Sequence, residues 1–484
     1  MPTETTATLK YTDEEHDERL AWESSWRVFW SSNTAKIGVL LLVFLVSVSV
    51  YVIFSYPLDF GTRYWNNPSY WADNPKEASP EWTNLFTPNP QPSHKTITLT
   101  NIRDEARQQF SYRFQEFPSF VSITVRDVTF SERPPTILFE LFRPDGSRVT
   151  FYGLTVSPPV PGERPPFRRY FETPLRVYLS GDIQASQVLS RFIETEYGFY
   201  VSADELLRLG VEKALFGVPS PEGFRPLEGE YVFEIRVVRT NVEDVVGGVS
   251  LVVGGKVYGW FGTDRLGRDL ATGLLFGFPV ALLIGVVTAV LTTSIGASIG
   301  MISGYQGGKI DEIIQRICDV LNNIPLLPLL IFLTFVLKPS IWVIVLILVA
   351  FGWSGLAIIV RSIVLQAKTA QFVEAAESIG VRKTRILFKH ILPQIAPFII
   401  SQMIFSTPSA ILAEAALSFL GLGDPSLPSW GQILEYAFRS GGVNLGLWWW
   451  IFPPGALIAL TSFTFVLLSL GMEPVVSPRL RRMT

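Results

Sequence analysis

The sequence predicts an α-helical membrane protein with six transmembrane helices and a β-rich extracytoplasmic domain inserted between helices 1 and 2. Three observations carry this reading. Six long stretches hold no charged residue, a polar block of nearly two hundred residues separates the first stretch from the others, and Lys and Arg are distributed unevenly between successive loops. The 484 residues are 48% hydrophobic with a mean hydropathy of +0.30, too apolar for an ordinary soluble domain and too charged to lie wholly in lipid.

A helix rises about 1.5 Å per residue and the bilayer core is about 30 Å thick, so roughly 20 uncharged residues cross it. Residues 37–58, 270–308, 320–337, 339–360, 391–413 and 440–472 meet or approach that length without a charge. One central Arg or Asp would cost roughly 2.5 to 3.5 kcal/mol on insertion, so six charge-free stretches form a strong pattern. The first run is longer than a signal-peptide core and follows 36 residues of mixed charge, which reads as a retained anchor. With the N-terminus inside, the loops near 303–319, 361–390 and 473–484 fall in the cytoplasm. These loops hold Lys309, Arg316, Arg361, Lys368, Arg382, Lys383, Arg385, Lys389, Arg479, Arg481 and Arg482, against Lys338 and Arg439 in the short opposite loops. That is the positive-inside bias, and it places both termini in the cytoplasm of a multi-pass protein of the cytoplasmic (inner) membrane. Trp342 and the tryptophans at 448–450 fall where an outer aromatic belt is expected.

The organisation is then a cytoplasmic segment 1–36, a first span 37–58, an extracytoplasmic block 59–255, a five-helix membrane domain 256–472 and a cytoplasmic tail 473–484. The block begins with irregular chain rich in Pro, Asn and Trp, a stalk close to the membrane surface. Period-two alternation at 95–102, 120–130 and 136–156 predicts strands, the last folding back at Pro144-Asp145-Gly146-Ser147. Further strands are expected at 168–179 and 230–239, and helices at 183–195 and 202–216, the second capped by Ser202 with Glu205 three residues on. An antiparallel sandwich with minor helices fits this pattern. Its acidic residues are scattered rather than paired, which argues against a glycosidase or protease.

Other chemistries are poorly supported. A net charge of -3 and a pI near 5.8 offer no nucleic-acid surface. His16, His94 and His390 lie far apart, so no metal site is expected, and the single Cys318 cannot form a disulfide within the chain. No G-x-x-x-x-G-K-[ST] loop occurs. Gly254-Gly255-Lys256 lacks both the spacing and the hydroxyl, so the chain holds no cofactor of its own and does not bind ATP in the P-loop manner.

Residues 371–393 read QFVEAAESIGVRKTRILFKHILP. FVEAAESI favours helix, Gly380 offers a conformation closed to other residues, and VRKTRILFKHI resumes a helical pattern, which predicts two short helices at an angle. Ala375 and Ala376 leave a shallow approach to the backbone, Glu374 offers one carboxylate, Arg382, Lys383 and Arg385 follow the bend, and Pro393 marks the start of the fifth span. Taken by itself, this is also what a solvated loop between two spans would look like.

The segment resembles the EAA loop of binding-protein-dependent ABC importer permeases: Glu-Ala-Ala, three residues, Gly, nine residues, then Ile-x-Leu-Pro. Glu374, Ala375, Ala376, Gly380, Leu392 and Pro393 fall in register. His390 stands where the general pattern has Ile, a variant similar to the dipeptide/oligopeptide branch; from the residues alone it reads as a polar group at the membrane boundary. Residues 262–269 (GTDRLGRD), 304–308 (GYQGG), 413–423 (AEAALSFLGLG) and 428–431 (PSWG) resemble further segments of that branch, so the likeness covers about 259–482. The large insertion departs from it.

The resemblance implies a permease subunit moving peptides, or oligosaccharides, across the membrane. Its partners would be a second homologous permease, two cytoplasmic ABC ATPase subunits carrying ATP and Mg, an extracytoplasmic substrate-binding protein and membrane lipid, with no nucleic acid and no enzyme activity in this chain. Glu374, Ala375, Ala376, Gly380, Arg382, Leu392 and Pro393 would form the ATPase-coupling surface. Glu414, a carboxylate near the end of a span, is a candidate for a subunit interface or for the translocation path. The competing classes are an ion-coupled secondary transporter, for which Glu414 is almost the only buried ionisable residue, and an anchored extracytoplasmic binding or sensor protein, which needs neither six spans nor this loop.

Within the membrane domain, 309–321 is expected to be amphipathic, with Ile310, Ile313, Ile314 and Ile317 opposite Asp311, Glu312, Gln315 and Arg316. Pro325 and Pro328 predict a bend, and Gly352 with Gly355 a close helix contact.

Overall fold

A computed structural model describes residues 27–57 and 59–476; the N-terminal segment to residue 26 and the basic tail with Arg479, Arg481 and Arg482 lie outside these described residues. The chain divides into two compact units, Asn67–Ala271 and a second made of the residues up to 66 with those from 272 onward.

The first long apolar helix, α1 (Asn33–Ser55), starts where the Ser32 hydroxyl accepts the Ala35 N–H. It buries Ala35, Leu45 and Val52 and leaves Leu40 and Phe54 exposed.

The 67–271 unit is β-rich. Its strands are β1 (Lys95–Ile102), β2 (Glu105–Tyr112), β3 (Val121–Phe130), β4 (Thr136–Phe142), β5 (Arg148–Thr155), β6 (Phe167–Arg169), β7 (Leu175–Tyr178), β8 (Gly217–Ser220), β9 (Gly223–Pro226), β10 (Gly229–Val238) and β11 (Val245–Val253). Between β7 and β8 lie α2 (Ile183–Tyr197), α3 (Ala203–Leu209) and α4 (Val211–Phe216). One sheet runs β1-β11-β3-β6 with β7 also on β3, a second runs β2-β10-β4-β5, and β8 and β9 form a ribbon. Every named strand pair is antiparallel. Ile97, Ile123 and Val249 of the first sheet share a core with Phe110, Phe139, Phe151 and Phe233 of the second and with Leu189 and Ile193 of α2.

The β4–β5 hairpin closes as its sequence suggests. Gly146 takes φ +84, and Asp145 accepts the Ser147 N–H (3.1 Å) and hydroxyl (2.6 Å). Ser202 caps α3 by accepting the Glu205 N–H at 3.2 Å. The expected helix 202–216 breaks in two at Gly210, whose φ of +98 is not helical, and the expected strand 168–179 is two short strands. The irregular lead-in is stitched to the far end of the unit: Ser79 and Ser93 both bridge to Val257.

The helical unit continues through α5 (Leu270–Gln306), α6 (Gly308–Asn323), α7 (Leu326–Leu337), α8 (Ile341–Lys368), α9 (Gln371–Ser378), α10 (Lys383–Ile386), a π turn (Leu387–Ile391), α11 (Leu392–Phe419), α12 (Trp430–Arg439) and α13 (Trp448–Val476). Five helices among the described residues are long and apolar enough to cross a membrane, or six if α6 and α7 count as one span.

The bend expected from Pro325 and Pro328 falls between these two helices and divides the stretch 320–337. The chain turns by 81° between α6 and α7. Pro325 excludes the helical conformation from the residue before it, and Ile324 is extended at φ -79, ψ 124. The 12 residues of α7 reach about 18 Å, less than the bilayer core. The last span is also shorter than 440–472: it begins at Trp448, after turns at Gly441 and Gly446 with φ +76 and +68. Trp450 is 1% exposed, so it belongs to the core and not to an aromatic belt, whereas Trp342 is 62% exposed.

Small residues bring the helices together. A Cβ at Gly296, Gly300 or Gly304 of α5 would lie 2.7, 2.6 or 2.8 Å from the carbonyl oxygens of Trp353, Ala357 and Arg361 of α8. Both rows step by four residues, one helical face against another. The expected contact through Gly352 and Gly355 is looser: a Cβ would meet Thr292 at 3.1 Å and Asn322 at 3.9 Å respectively.

Candidate functional site

The 371–393 segment is built on the ends of α5 and α8. Val373 and Ala376 of α9, with Ile386, Leu387 and Ile391 beyond the bend, pack into one apolar cluster with Met301 and Tyr305 of α5 and Val360 and Val364 of α8. Glu374 and Ala375, on the opposite side of α9, are exposed. The i, i+3 spacing of Val373 and Ala376 makes this division unavoidable on one short helix. Of the Glu-Ala-Ala triplet, then, Ala376 faces inward and the first two residues face out.

Gly380 ends α9 by the mechanism its residue type suggests. Its φ is +79, its N–H donates to Glu377 O (3.0 Å), and the Val381 N–H donates to Ala376 O (3.1 Å), the paired bonds of a Schellman cap. Val381 then packs on the same cluster as Ala376. Arg382 is the N-cap residue of α10, and it, Lys383 and Arg385 are exposed.

From Lys383 the helix runs through to Phe419 with no break long enough to separate it from the span. Pro393 therefore sits inside a continuous helix instead of at its start. Proline lacks an N–H and crowds the carbonyl four residues back, and the turn just before it, Leu387–Ile391, is widened to π geometry. Leu392 is half-buried, Pro393 is exposed, and His390 lies in the π turn.

Two polar links, not anticipated as such, tie the segment to the bundle. The Tyr305 hydroxyl donates to Glu377 Oε1 at 2.8 Å, while the Lys368 ammonium donates to Tyr305 O at 2.9 Å and lies 5.4 Å from its ring. Beside them the Arg361 guanidinium donates twice to Asp311, at 2.5 and 2.6 Å, and the Ser303 hydroxyl donates to the same carboxylate. This draws Asp311 and Gln315 of α6 inward, whereas Glu312, Arg316 and Asp319 stay exposed. Ile310, Ile313 and Val320 are exposed. The Gly304-Tyr305-Gln306-Gly307-Gly308 run flagged this corner in the sequence, but nothing in a one-dimensional pattern pairs Tyr305 with Glu377.

Glu414 lies elsewhere, on α11. It is 6% exposed, its carboxylate accepts the Ser418 hydroxyl at 2.6 Å, and it lines a small cleft with Asp424, Ser429 and Gln432. Ser418 is in its own helix, while Ser429 across the cleft is the N-cap residue of α12. Gly431 of α12 approaches Ala415 O so closely that a Cβ would stand at 2.6 Å, and Trp430 donates to Leu274 O at 2.8 Å, fixing α12 between α11 and α5.

The GTDRLGRD run is a built turn in the 67–271 unit. Asp264 Oδ1 accepts the N–H groups of Leu266 (2.8 Å) and Arg268 (2.9 Å), and Oδ2 accepts the Arg268 guanidinium at 2.5 Å. The Thr263 hydroxyl donates to Pro75 O and accepts the Ala78 N–H. Gly267 takes φ +79, with Trp71 O 3.0 Å from where a Cβ would stand. Among the described residues no group of three or more His, Cys, Asp or Glu is placed to hold a metal ion.

Comparison with known proteins bears on the helical region. Residues 296–482, which include the whole 371–393 segment, match the family described as binding-protein-dependent transport system inner membrane component. The chain is 40% identical over 224 residues to the dipeptide transport system permease protein DppC of Bacillus subtilis, covering 46% of this chain and 69% of that protein. It is 39% identical over 226 residues to the oligopeptide transport system permease protein OppC of the same organism, covering 46% and 72%. The OppC protein of Haemophilus influenzae is 36% identical over 223 residues, covering 46% and 71%.

Proposed function

Because the chain belongs to the family of binding-protein-dependent inner membrane components, as a permease subunit of a peptide ABC importer, we propose that its 371–393 segment is the surface through which a separate ATPase drives it. The chain is a multi-pass membrane protein and not itself an enzyme. In this reading a pair of cytoplasmic ABC ATPase subunits, carrying ATP and Mg, closes on nucleotide. Glu374, Ala375 and Arg382 meet the ATPase, Ala376 and Gly380 fix the angle of the segment, and Leu392 and Pro393 join it to α11. The pull alternates the bundle between outward and inward opening, with a second homologous permease forming the other half of the path.

The single observation that supports this is the two-sided character of α9. One side is exposed at Glu374, and the other is locked to α5 and α8 through Val373, Ala376 and the Tyr305–Glu377 bond. A load applied to the exposed side is carried into two long helices at once. The test is ATP-driven peptide uptake by the reconstituted transporter with Glu374→Ala and Gly380→Val combined. The pair should abolish uptake while the permease still inserts; normal uptake would overturn the coupling role.

The same reading counts α6 and α7 together as the third of six spans, keeps both termini in the cytoplasm and puts the β-rich unit outside, where it docks or orients an extracytoplasmic substrate-binding protein. Lys95 and Val253 are paired in register at the two ends of the strand region, so a short linker can replace 95–253 without disturbing the turn braced by Trp71, Pro75 and Ala78. Uptake and binding-protein affinity unchanged by that excision would sink the docking role. Glu414 serves here as a staple for α12 and not as a substrate contact. Neither an ion-coupled transporter nor an anchored sensor is favoured by the family relationship.

A further inference from the structure

In the 67–271 unit, a short 3-10 helix, Glu81–Phe86, leaves its large apolar side chains in the open. Leu85 is 82% and Phe86 80% exposed, and the neighbouring Trp260 is 78% exposed. The cluster is held together. The Trp82 indole donates to Trp260 O at 2.9 Å, the Glu81 N–H donates to Gly259 O at 2.9 Å, and the rings of Trp82 and Phe86 meet edge to face. Phe261 adds a further part-exposed ring. Three side chains of this size, fixed by backbone bonds and facing away from the core, are costly in water.

Their place in the chain bears on what covers them. The first N–H of α5, that of Leu270, donates to Gly262 O at 3.1 Å. Two residues of chain reach at most about 7 Å, so Trp260 lies within roughly 10 Å of the point where α5 begins. The polar layer of a bilayer extends about 5 to 8 Å beyond each side of its hydrocarbon core. A Trp, Phe and Leu cluster tied this closely to the first turn of a span, with Glu81 as the sole charge of the 81–86 helix, has the composition of an interfacial anchor.

We propose that the β-rich unit carries its own membrane contact, with Trp82, Leu85, Phe86, Trp260 and Phe261 seated among the lipid headgroups. The proposal rests on α5 being a membrane span and is independent of the coupling and docking roles above. The contact supplies the unit with a third attachment besides its two chain connections.

The test uses full-length permease in lipid nanodiscs, with Cys318→Ala removing the native thiol. A nitroxide is placed in turn through Leu85→Cys, Phe86→Cys and, for reference, Glu243→Cys. Glu243 is exposed beyond the far end of β11, whose nine residues put it about 26 Å or more from Val253. The readout is the ratio of relaxation by oxygen, which partitions into lipid, to relaxation by a water-soluble nickel chelate. The ratio at 85 and 86 should exceed that at 243 several-fold. A ratio at 85 and 86 equal to that at 243 would mean the patch faces water. Protection from both reagents would mean that protein covers it. Either result overturns the proposal.

Discussion

The two units hold themselves together with opposite materials. The 67–271 unit packs large rings, Phe110, Phe139, Phe151, Tyr231 and Phe233, between sheets, and it holds buried charge with ion pairs such as Asp264–Arg268 or with backbone N–H groups, as at Asp244. The helical unit relies on missing side chains, with Gly296, Gly300 and Gly304 admitting the backbone of α8 and Gly431 admitting α12 to α11. In water, apolar area drives packing and large side chains supply it. In lipid that drive between helices is absent, so close backbone approach and shape decide. The contrast predicts that one unit fails when a buried charge loses its partner and the other when a glycine gains a side chain.

The largest effect is expected at Asp264, where the carboxylate and the Arg268 guanidinium are 1% and 2% exposed. Asp264→Ala removes the carboxylate that pairs a buried cation and frees two backbone N–H groups, a loss of about 3 to 5 kcal/mol. The midpoint of thermal unfolding of the purified permease should drop sharply, and a proteolytic cut should appear in the 262–269 turn. Next comes Gly300→Leu, which forces α5 from α8 at a cost of about 1 to 3 kcal/mol. It should lower the same midpoint while leaving the 262–269 turn resistant to protease. If both variants produced the same cleavage pattern, the contrast between the units would fail.

Tyr305→Phe is milder and tests transmission instead of stability. It deletes one hydroxyl from the Glu377 link, worth about 1 kcal/mol at a part-exposed site, and leaves the apolar cluster in place. Peptide uptake per ATP hydrolysed should fall while the unfolding midpoint holds. A parallel loss of both would mark Tyr305 as structural only.

The β-rich unit also carries a pH response. Burial pushes the His94 imidazole down to about 4, against a weaker opposing pull from the Asp73 carboxylate. The folded state therefore binds fewer protons than the unfolded one between about 4 and the ordinary histidine value near 6.5. Stability from this group is full above that window and is lost as pH falls through it. Thermal melts from pH 7 to 4 should show the decline, and His94→Gln should flatten it; an unchanged slope would assign the decline to other groups.

What could be read from the sequence follows the same division. Strands β1, β3, β4, β5 and β10 were legible because apolar and polar residues alternate along them, even in β3, where Ser122 and Thr124 are buried. β11 was not: it lies between β1 and β3, both its faces are largely covered, and VVGGVSLVV has no period of two. β2 was missed for the opposite reason, since Glu105, Arg107 and Gln109 mask its inward Phe110 and Tyr112. In the helical unit, the spans followed from hydropathy and the bend from Pro325, but apolar length did not show that the break at Ile324 leaves α7 only 12 residues. The candidate site was legible as a motif through Glu374, Ala375, Ala376 and Gly380. Its anchorage through Tyr305, Glu377 and Lys368 depends on residues some 60 to 70 positions apart, which only the folded chain brings together.

The smallest effect separates glycines that matter from those that only look as if they should. Gly355 shares its spacing and setting with the close-contact type, yet a Cβ there would find Asn322 Oδ1 at 3.9 Å, an ordinary contact. Gly355→Ala should therefore leave uptake unchanged and raise the unfolding midpoint slightly, since alanine is better than glycine in a helix interior by roughly 0.5 to 1 kcal/mol. Gly300→Ala, the same chemical change, puts a methyl 2.6 Å from Ala357 O and should lower the midpoint. Opposite signs from one methyl group at two glycines would locate the α5–α8 seam by its energetics alone. The same sign at both would mean that α8 shifts to accept the methyl, and the glycine stripe would lose its claim to set the helix spacing.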